Sequence, residues 1–217
     1  MILYGSSLSP FVRKVLAFAA EKGIEIELRP TGPAPGEPSG EYLEASPLRK
    51  MPALRDGDFT LADSSAIVQY LEALHPDPNL IPTEPRARGK AIWFEEYGDT
   101  IVMPCGGKIF FNRVVLPRFL GRPGDASVAD AAEREELPPI LDYLERVIPD
   151  SGFLVDDRLT LADIAIASPL ANLPYMGMSI DGQRHPRLAR YVAAILSRPS
   201  FAPWIERETA MLAARAA

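Results

Sequence analysis

Three short runs in the first third of the chain combine residue types that could act on one ligand: Ser9-Pro10-Phe11, Met51-Pro52 and Asp63-Ser64. Ser9 and Pro10 suit the opening of a helix, serine as the N-cap and proline at the first helical position. The same place presents free N–H groups and the positive end of the helix dipole, and a hydroxyl there can donate to a thiolate sulfur. Stabilising a thiolate by two pKa units is worth roughly 2.7 kcal/mol, at about 1.36 kcal/mol per unit. One charge-assisted hydrogen bond of about 1.5 to 3 kcal/mol, helped by a dipole contribution of up to about 1 kcal/mol, is of that size. Ser9 can therefore cap a helix, or activate a thiol brought to it without being a nucleophile itself.

Met51-Pro52 precedes a short Ala53-Leu54 strand. A cis bond would turn the N–H and C=O of Met51 outward, toward a peptide-like ligand lying as an extra strand, whereas a trans proline at a strand start suits the sequence equally. Asp63-Ser64 fits the N-cap and first turn of the segment that follows. It fits equally a receptor for an α-amino-acid head group, with Ser64 and the helix N–H groups taking the carboxylate and Asp63 the ammonium.

The elements that must position these residues follow from periodicity. Met1 to Tyr4 reads as a buried strand ended by Gly5-Ser6-Ser7, and Pro10 to Lys22 as a helix stopped by Gly23. Ile24 to Leu28 alternates like a strand, which implies a parallel pair joined by a right-handed crossover. Pro30 to Ser39 is too rich in Pro and Gly to be regular. Strands at Ala53 to Arg55 and Phe59 to Leu61 flank Asp56-Gly57, a pair suited to a tight turn, and Asp63 to Leu74 returns to helical spacing. The order is β-α-β, then β-β-α.

Prolines at 76, 78, 82 and 85 mark a linker, after which the chain reads as helix and loop with periodicity near residues 86–103, 127–147, 161–175, 186–197 and 200–213. The expected organisation is an α/β domain over residues 1–76, a linker over 77–86 and an all-α domain over 87–217. Thr160 to Asp163 fits a capping box with Asp in place of Glu, flanked by Leu159 and Ile164 as a hydrophobic staple. Trp93, Phe94, Tyr97, Phe110 and Phe111 are an aromatic group suited to core packing, a minority of which could line an apolar pocket. Gly106-Gly107 after Pro104 suggests a break in the helix over that pocket.

Composition removes other classes. A net charge of −6 without a long basic run argues against nucleic-acid binding. Nowhere do eighteen apolar residues run consecutively, and MILYGSSLSP has neither the charge nor the length of a signal peptide, so the expected location is the cytoplasm, with no membrane partner. A single cysteine, Cys105, excludes an internal disulfide, and with only two histidines no protein-built metal site is expected.

Taken together, these residues resemble the soluble glutathione S-transferase family over nearly the whole chain, in the manner of bacterial-like members with a Ser-Pro-Phe motif. SPFVRKVLAFAAEKGI is similar to the family's first active-site helix, SPLRKMPAL to its cis-proline segment, LADSSAIVQYL to its glutamyl-binding helix and RLTLADIAIA to its capped core helix. The resemblance implies a thioredoxin-like N-terminal domain, an all-helical C-terminal domain and a homodimer. It implies glutathione as co-substrate, bound mainly by the first domain, with a small hydrophobic electrophile between the two. By that similarity Ser9 activates the thiol, although Tyr4, Ser6 and Ser7 lie close by. Met51 bonds the cysteinyl backbone beside Pro52, Asp63 and Ser64 hold the γ-glutamyl end, and Lys50 meets the glycyl carboxylate. Leu8, Phe11, Cys105 and Phe110 are the candidates for the second-substrate pocket. Serine in place of the cysteine of glutaredoxin-like members makes thiol reduction a poorer expectation than conjugation. A glutathione-dependent isomerase or dehalogenating lyase, and a non-catalytic binding module, are the alternatives.

Overall fold

The computed structural model describes residues 1–31 and 39–215. Its sheet has four strands in the order β2-β1-β3-β4. β1 (Ile2–Gly5) pairs in parallel with β2 (Glu27–Pro30) and antiparallel with β3 (Ala53–Asp56), which forms a hairpin with β4 (Phe59–Ala62). α1 (Pro10–Glu21) makes the crossover from β1 to β2, and α3 (Ser64–Leu74) follows β4. Alternation along the strands divides the sheet's two faces: Leu3 and Leu54, paired across β1 and β3, enter the main core with α1 and α3. Tyr4 and Ala53 face the other way, onto Tyr42 and Ala45 of α2 (Gly40–Ala45).

Local chemistry shifts several boundaries from the sequence expectation. β2 begins at Glu27 because Ile24 still belongs to the end of α1: Gly23 takes φ +68°, its N–H bonds the Ala20 carbonyl at 3.1 Å, and the Ile24 N–H reaches the Ala19 carbonyl at 2.9 Å. That is a Schellman closure, and it needs the residue after the helix to be left-handed. In the hairpin, Asp56 pairs with Phe59, so the two turn residues are Gly57 and Asp58 rather than Asp56 and Gly57. α2 is an addition to the sequence expectation, started by Ser39, whose hydroxyl accepts from the Tyr42 N–H at 3.3 Å. The expected loop from Pro30 to Ser39 lies largely outside the described residues.

The helical half departs most where sequence suggested a break. α4 (Pro85–Tyr97), α5 (Met103–Phe110) and α6 (Leu116–Phe119) are one nearly continuous run, joined by π-helical turns at Gly98–Val102 and Phe111–Val115. Gly106-Gly107 does not interrupt it. A third π turn, Ala132–Glu136, joins α7 (Ala126–Ala131) to α8 (Leu137–Val147). Each π turn contains the residue four before a proline, namely Pro104, Pro117 and Pro138. Proline lacks the N–H and crowds that carbonyl, and one widened turn absorbs both problems without ending the helix.

α9 (Leu161–Leu170) is buried along its whole length and packs against α1 and α4. Pro169 leaves the Ala165 carbonyl without its usual helical donor, and Gly98 lies against that oxygen, where a Cβ would stand only 2.8 Å away. α9 starts as expected: the Asp163 carboxylate accepts from the N–H groups of Thr160 and Leu154, each at 2.9 Å, and from the Tyr191 hydroxyl at 3.2 Å. α10 (Pro186–Leu196) and α11 (Ala202–Ala214) complete the helices.

Candidate functional site

Sheet register gathers the three sequence runs. β1 ends at Gly5, Tyr4 pairs with Ala53 at the start of β3, and Ala53 pairs with Ala62 at the end of β4. The Ser6–Ser9 loop, Met51-Pro52 and Asp63-Ser64 therefore emerge at the same edge. Gly5 is required there by close approach, since a Cβ would meet Val12 Cγ2 at 2.5 Å and Met51 Cβ at 3.5 Å. The Met51-Pro52 bond is cis, as is Asp77-Pro78 in the linker. Ser46 braces the preceding loop, its Oγ donating to the Lys50 carbonyl at 2.6 Å and accepting from the Lys50 N–H at 3.0 Å, while the Lys50 side chain is exposed.

Ser9 stands at the N-cap of α1 with extended backbone angles, yet its side chain makes no capping bond. Ser9 lines a cavity of about 310 Å³ together with Ser6, Leu8, Pro10 and Met51 from the sheet side. The helical half contributes α5 and the π turn and helix after it, through Met103, Phe110, Phe111, Val115 and Phe119, together with Pro169 and Asn172. Among the described residues, no charged side chain lines it.

Of the four residues expected in this pocket, Leu8 and Phe110 line it and two do not. Cys105 is buried on another side of α5, its thiol donating to the Ala132 carbonyl at 3.7 Å, and burial, reinforced by the nearby Glu136 charge, pushes the thiol up to about 11. A helix turns about 100° per residue, so Cys105 and Phe110 cannot share the inward stripe that Met103, Gly107 and Phe110 form. Phe11 is half-buried and lies outside the lining. Among the neighbouring alternatives, Tyr4 points to the far face of the sheet and donates to Glu41 at 3.2 Å, Ser7 is buried off the cavity and Ser6 is on its wall. The aromatic group divides, with Phe94 and Tyr97 buried, Phe110 and Phe111 on the cavity, and Trp93 51% exposed.

Asp63 opens α3 with φ +78°, and one oxygen, Oδ1, accepts from both Ser65 N–H at 2.8 Å and Ala66 N–H at 3.1 Å. Oδ2 is left free of the cap. Ser64 is buried beside it. Behind this terminus, fully buried Lys14 of α1 donates to Ser65 at 3.2 Å, Glu95 at 3.0 Å and Asp99 at 2.5 Å. Burial pushes the Asp99 carboxyl up, against the pull of Lys14.

Sequence reasoning missed a second buried cluster. Arg13 donates to the Ser168 carbonyl at 2.6 Å, to Asn172 Oδ1 at 2.8 Å and to both Glu208 oxygens at 3.3 and 2.6 Å. Asn172 Nδ2 in turn donates to the Leu8 carbonyl at 3.1 Å. The partners of Arg13 lie 155 to 195 residues along the chain, so no local pattern marks it as buried. No group of His, Cys, Asp and Glu among the described residues could hold a metal, and no described helix is long and apolar enough to cross a membrane.

Comparison with known proteins places this geometry. Residues 3–79 match the family model described as the N-terminal domain of glutathione S-transferase, and residues 122–208 the model of its C-terminal domain. A glutathione S-transferase of Hyoscyamus muticus is 31% identical over 212 residues, covering 95% of this chain and 98% of that protein. Among solved structures, a glutathione S-transferase from Rhodospirillum rubrum F11 superposes with a TM-score of 0.83 at 27% identity, covering 94% of this chain and 90% of that one. A second, from Methylobacterium radiotolerans in complex with glutathione sulfonate, gives 0.77 at 31% identity over 94% and 93%.

Proposed function

The chain belongs to the glutathione S-transferase family, and from that premise we propose that it binds glutathione along the sheet edge and directs its thiolate, held by Ser9, at an uncharged apolar electrophile in the adjoining cavity. One observation carries the assignment to Ser9: at the N-terminus of α1, a serine whose hydroxyl is spared from capping lines an apolar cavity.

In this reading the γ-glutamyl carboxylate meets Ser64 and the opening of α3, and the free Oδ2 of Asp63 takes the ammonium. The backbone of Met51 pairs with the cysteinyl residue, and exposed Lys50 receives the glycyl carboxylate. The thiol then sits before Ser9, loses its proton to solvent, and the thiolate is held by the Ser9 O–H and the dipole of α1. Attack forms the carbon–sulfur bond as the electrophile's leaving group departs with its electron pair. Rate comes from positioning and thiolate stabilisation, with no covalent enzyme intermediate. The apolar side chains among the described residues of the cavity wall, including Leu8, Met103, Phe110 and Phe119, support an apolar second substrate. The acidic composition and a lone buried thiol support a cytoplasmic setting. Exposed apolar side chains such as Leu48, Phe59 and Leu74 support a homodimer, which light scattering would test.

The direct test replaces Ser9 by Ala and follows conjugation of a chlorinated nitroaromatic. The reading requires kcat to fall with the glutathione KM nearly unchanged, and an unaltered kcat would move the role to another group.

A further inference from the structure

We propose that Asn172 is a positioning residue for Ser9, clamping the Leu8–Ser9 peptide from the helical half of the molecule; this rests on Ser9 as the thiol-activating group. The peptide plane between these residues carries the Leu8 C=O and the Ser9 N–H, which move together because the bond is planar. Both ends are held: the Ser9 N–H donates to the Ser6 carbonyl at 2.9 Å, and the Leu8 carbonyl accepts from Asn172 Nδ2 at 3.1 Å. On its other side the Ser9 carbonyl accepts from the Arg13 N–H at 2.9 Å. With the planes before and after Ser9 fixed, the side-chain torsion is the main freedom left to the hydroxyl.

The orientation of the Asn172 amide is dictated by its partners. Arg13 can only donate and a backbone carbonyl can only accept, so Oδ1 must face Arg13 and Nδ2 must face Leu8. Asn172 is itself buried and lies on the cavity wall. Arg13 is held by the Ser168 carbonyl and by Glu208 of α11, and Glu208 receives the Tyr175 hydroxyl at 2.8 Å. A path of buried polar contacts thus runs from the last helix, through one amide, to the carbonyl preceding Ser9. An unpaired member of such a path would leave a desolvated donor or acceptor, which favours a single loop conformation.

Asn172→Asp and Asn172→Ser both break the clamp, and because only the aspartate adds a charge to the cavity wall, the limb must move in the serine variant too. Asn172→Asp keeps the acceptor facing Arg13 and places a carboxylate oxygen against the Leu8 carbonyl, so that acceptor meets acceptor and the loop is released. Hydrogen exchange of the peptide spanning Ser9 is expected to accelerate. The acid limb of kcat/KM for conjugation, which reports thiol ionisation, is expected to move up by about half to one pH unit, while the glutathione KM changes less than about twofold. Arg198→Gln serves as the control, because it removes an ion pair with Glu21 at the far end of α1 and should lower stability without moving that limb. Asn172→Ser, which is too short to reach the Leu8 carbonyl, carries the same expectations and stands alone should the aspartate variant fail to fold. Unchanged exchange and an unchanged limb in a folded Asn172 variant overturn the proposal, as does an equal displacement of the limb in Arg198→Gln. A wild-type enzyme that fails to ionise glutathione would defeat the Ser9 reading instead, and the exchange measurement would still decide the clamp.

Discussion

At Ser9 two uses of one hydroxyl compete, and the backbone already decides part of the contest. A serine N-cap normally accepts from the N–H two or three residues on, and here it does not. Loss of the hydroxyl should therefore cost little helix stability and much chemistry. Ser9→Ala is expected to lower kcat by roughly 10- to 150-fold, the equivalent of about 1.5 to 3 kcal/mol for one charge-assisted hydrogen bond, with thermal stability nearly unchanged. Steady-state kinetics beside a melting curve check both halves. Asp63 presents the opposite case, since its Oδ1 caps α3 while Oδ2, free of the cap, takes the ligand ammonium in the proposed reading. Asp63→Ala should raise the glutathione KM and also destabilise the fold by about 0.5 to 2 kcal/mol, whereas Asp63→Asn, which retains a capping oxygen, should raise KM with a smaller loss of stability.

Among the elements, α9 and the π turn that meets it leave the least room. A methyl group at position 98 would press on the Ala165 carbonyl that Pro169 leaves free, so Gly98→Ala should destabilise by about 1 to 3 kcal/mol in urea unfolding. At the start of α9, burial pushes the Asp163 carboxyl up to about 6, partly countered by its hydrogen bonds to Leu154, Thr160 and Tyr191. A carboxyl whose folded pKa lies above its unfolded value holds its proton more tightly when folded. Its contribution to stability is therefore greatest below about pH 4 and is lost as pH rises through about 6. The wild-type stability minus that of Asp163→Asn should thus fall by roughly 2 kcal/mol between about pH 4 and about pH 7, and a flat difference would contradict the assignment. These elements also show what sequence can and cannot tell. α1, α3 and the start of α9 were legible because their caps, stops and apolar periods are local. The run from residue 103 to 119 was not, because Pro104 and the glycine pair read as a break while a π turn two residues earlier absorbs the proline. Cys105 was misplaced with it, since a helix through this region sends it away from the cavity.

Across the whole molecule, polar contacts away from the cavity tie α1 to the linker and to the helices. Glu21 at the end of α1 receives Arg198 at 2.7 Å and Ser200 at 2.5 Å; Lys22 reaches Glu72 at 2.7 Å and the Pro78 carbonyl at 2.6 Å; Leu161 donates to the Leu80 carbonyl at 2.8 Å. None of these partners could be paired from sequence, because composition and periodicity carry no information about contacts between residues 50 to 179 positions apart. With the junction this strongly cross-linked, fluorescence of Trp93 and Trp204 in the helices and hydrogen exchange in β1 should report one coincident unfolding transition. The central claim is that this assembled edge ionises the thiol of glutathione. Isothermal titration of the protein with glutathione in two buffers of different ionisation enthalpy, repeated with S-methyl glutathione, tests it most directly. Binding of both ligands with proton release for glutathione alone is the predicted result, and binding of both without proton release, or of neither, would contradict it.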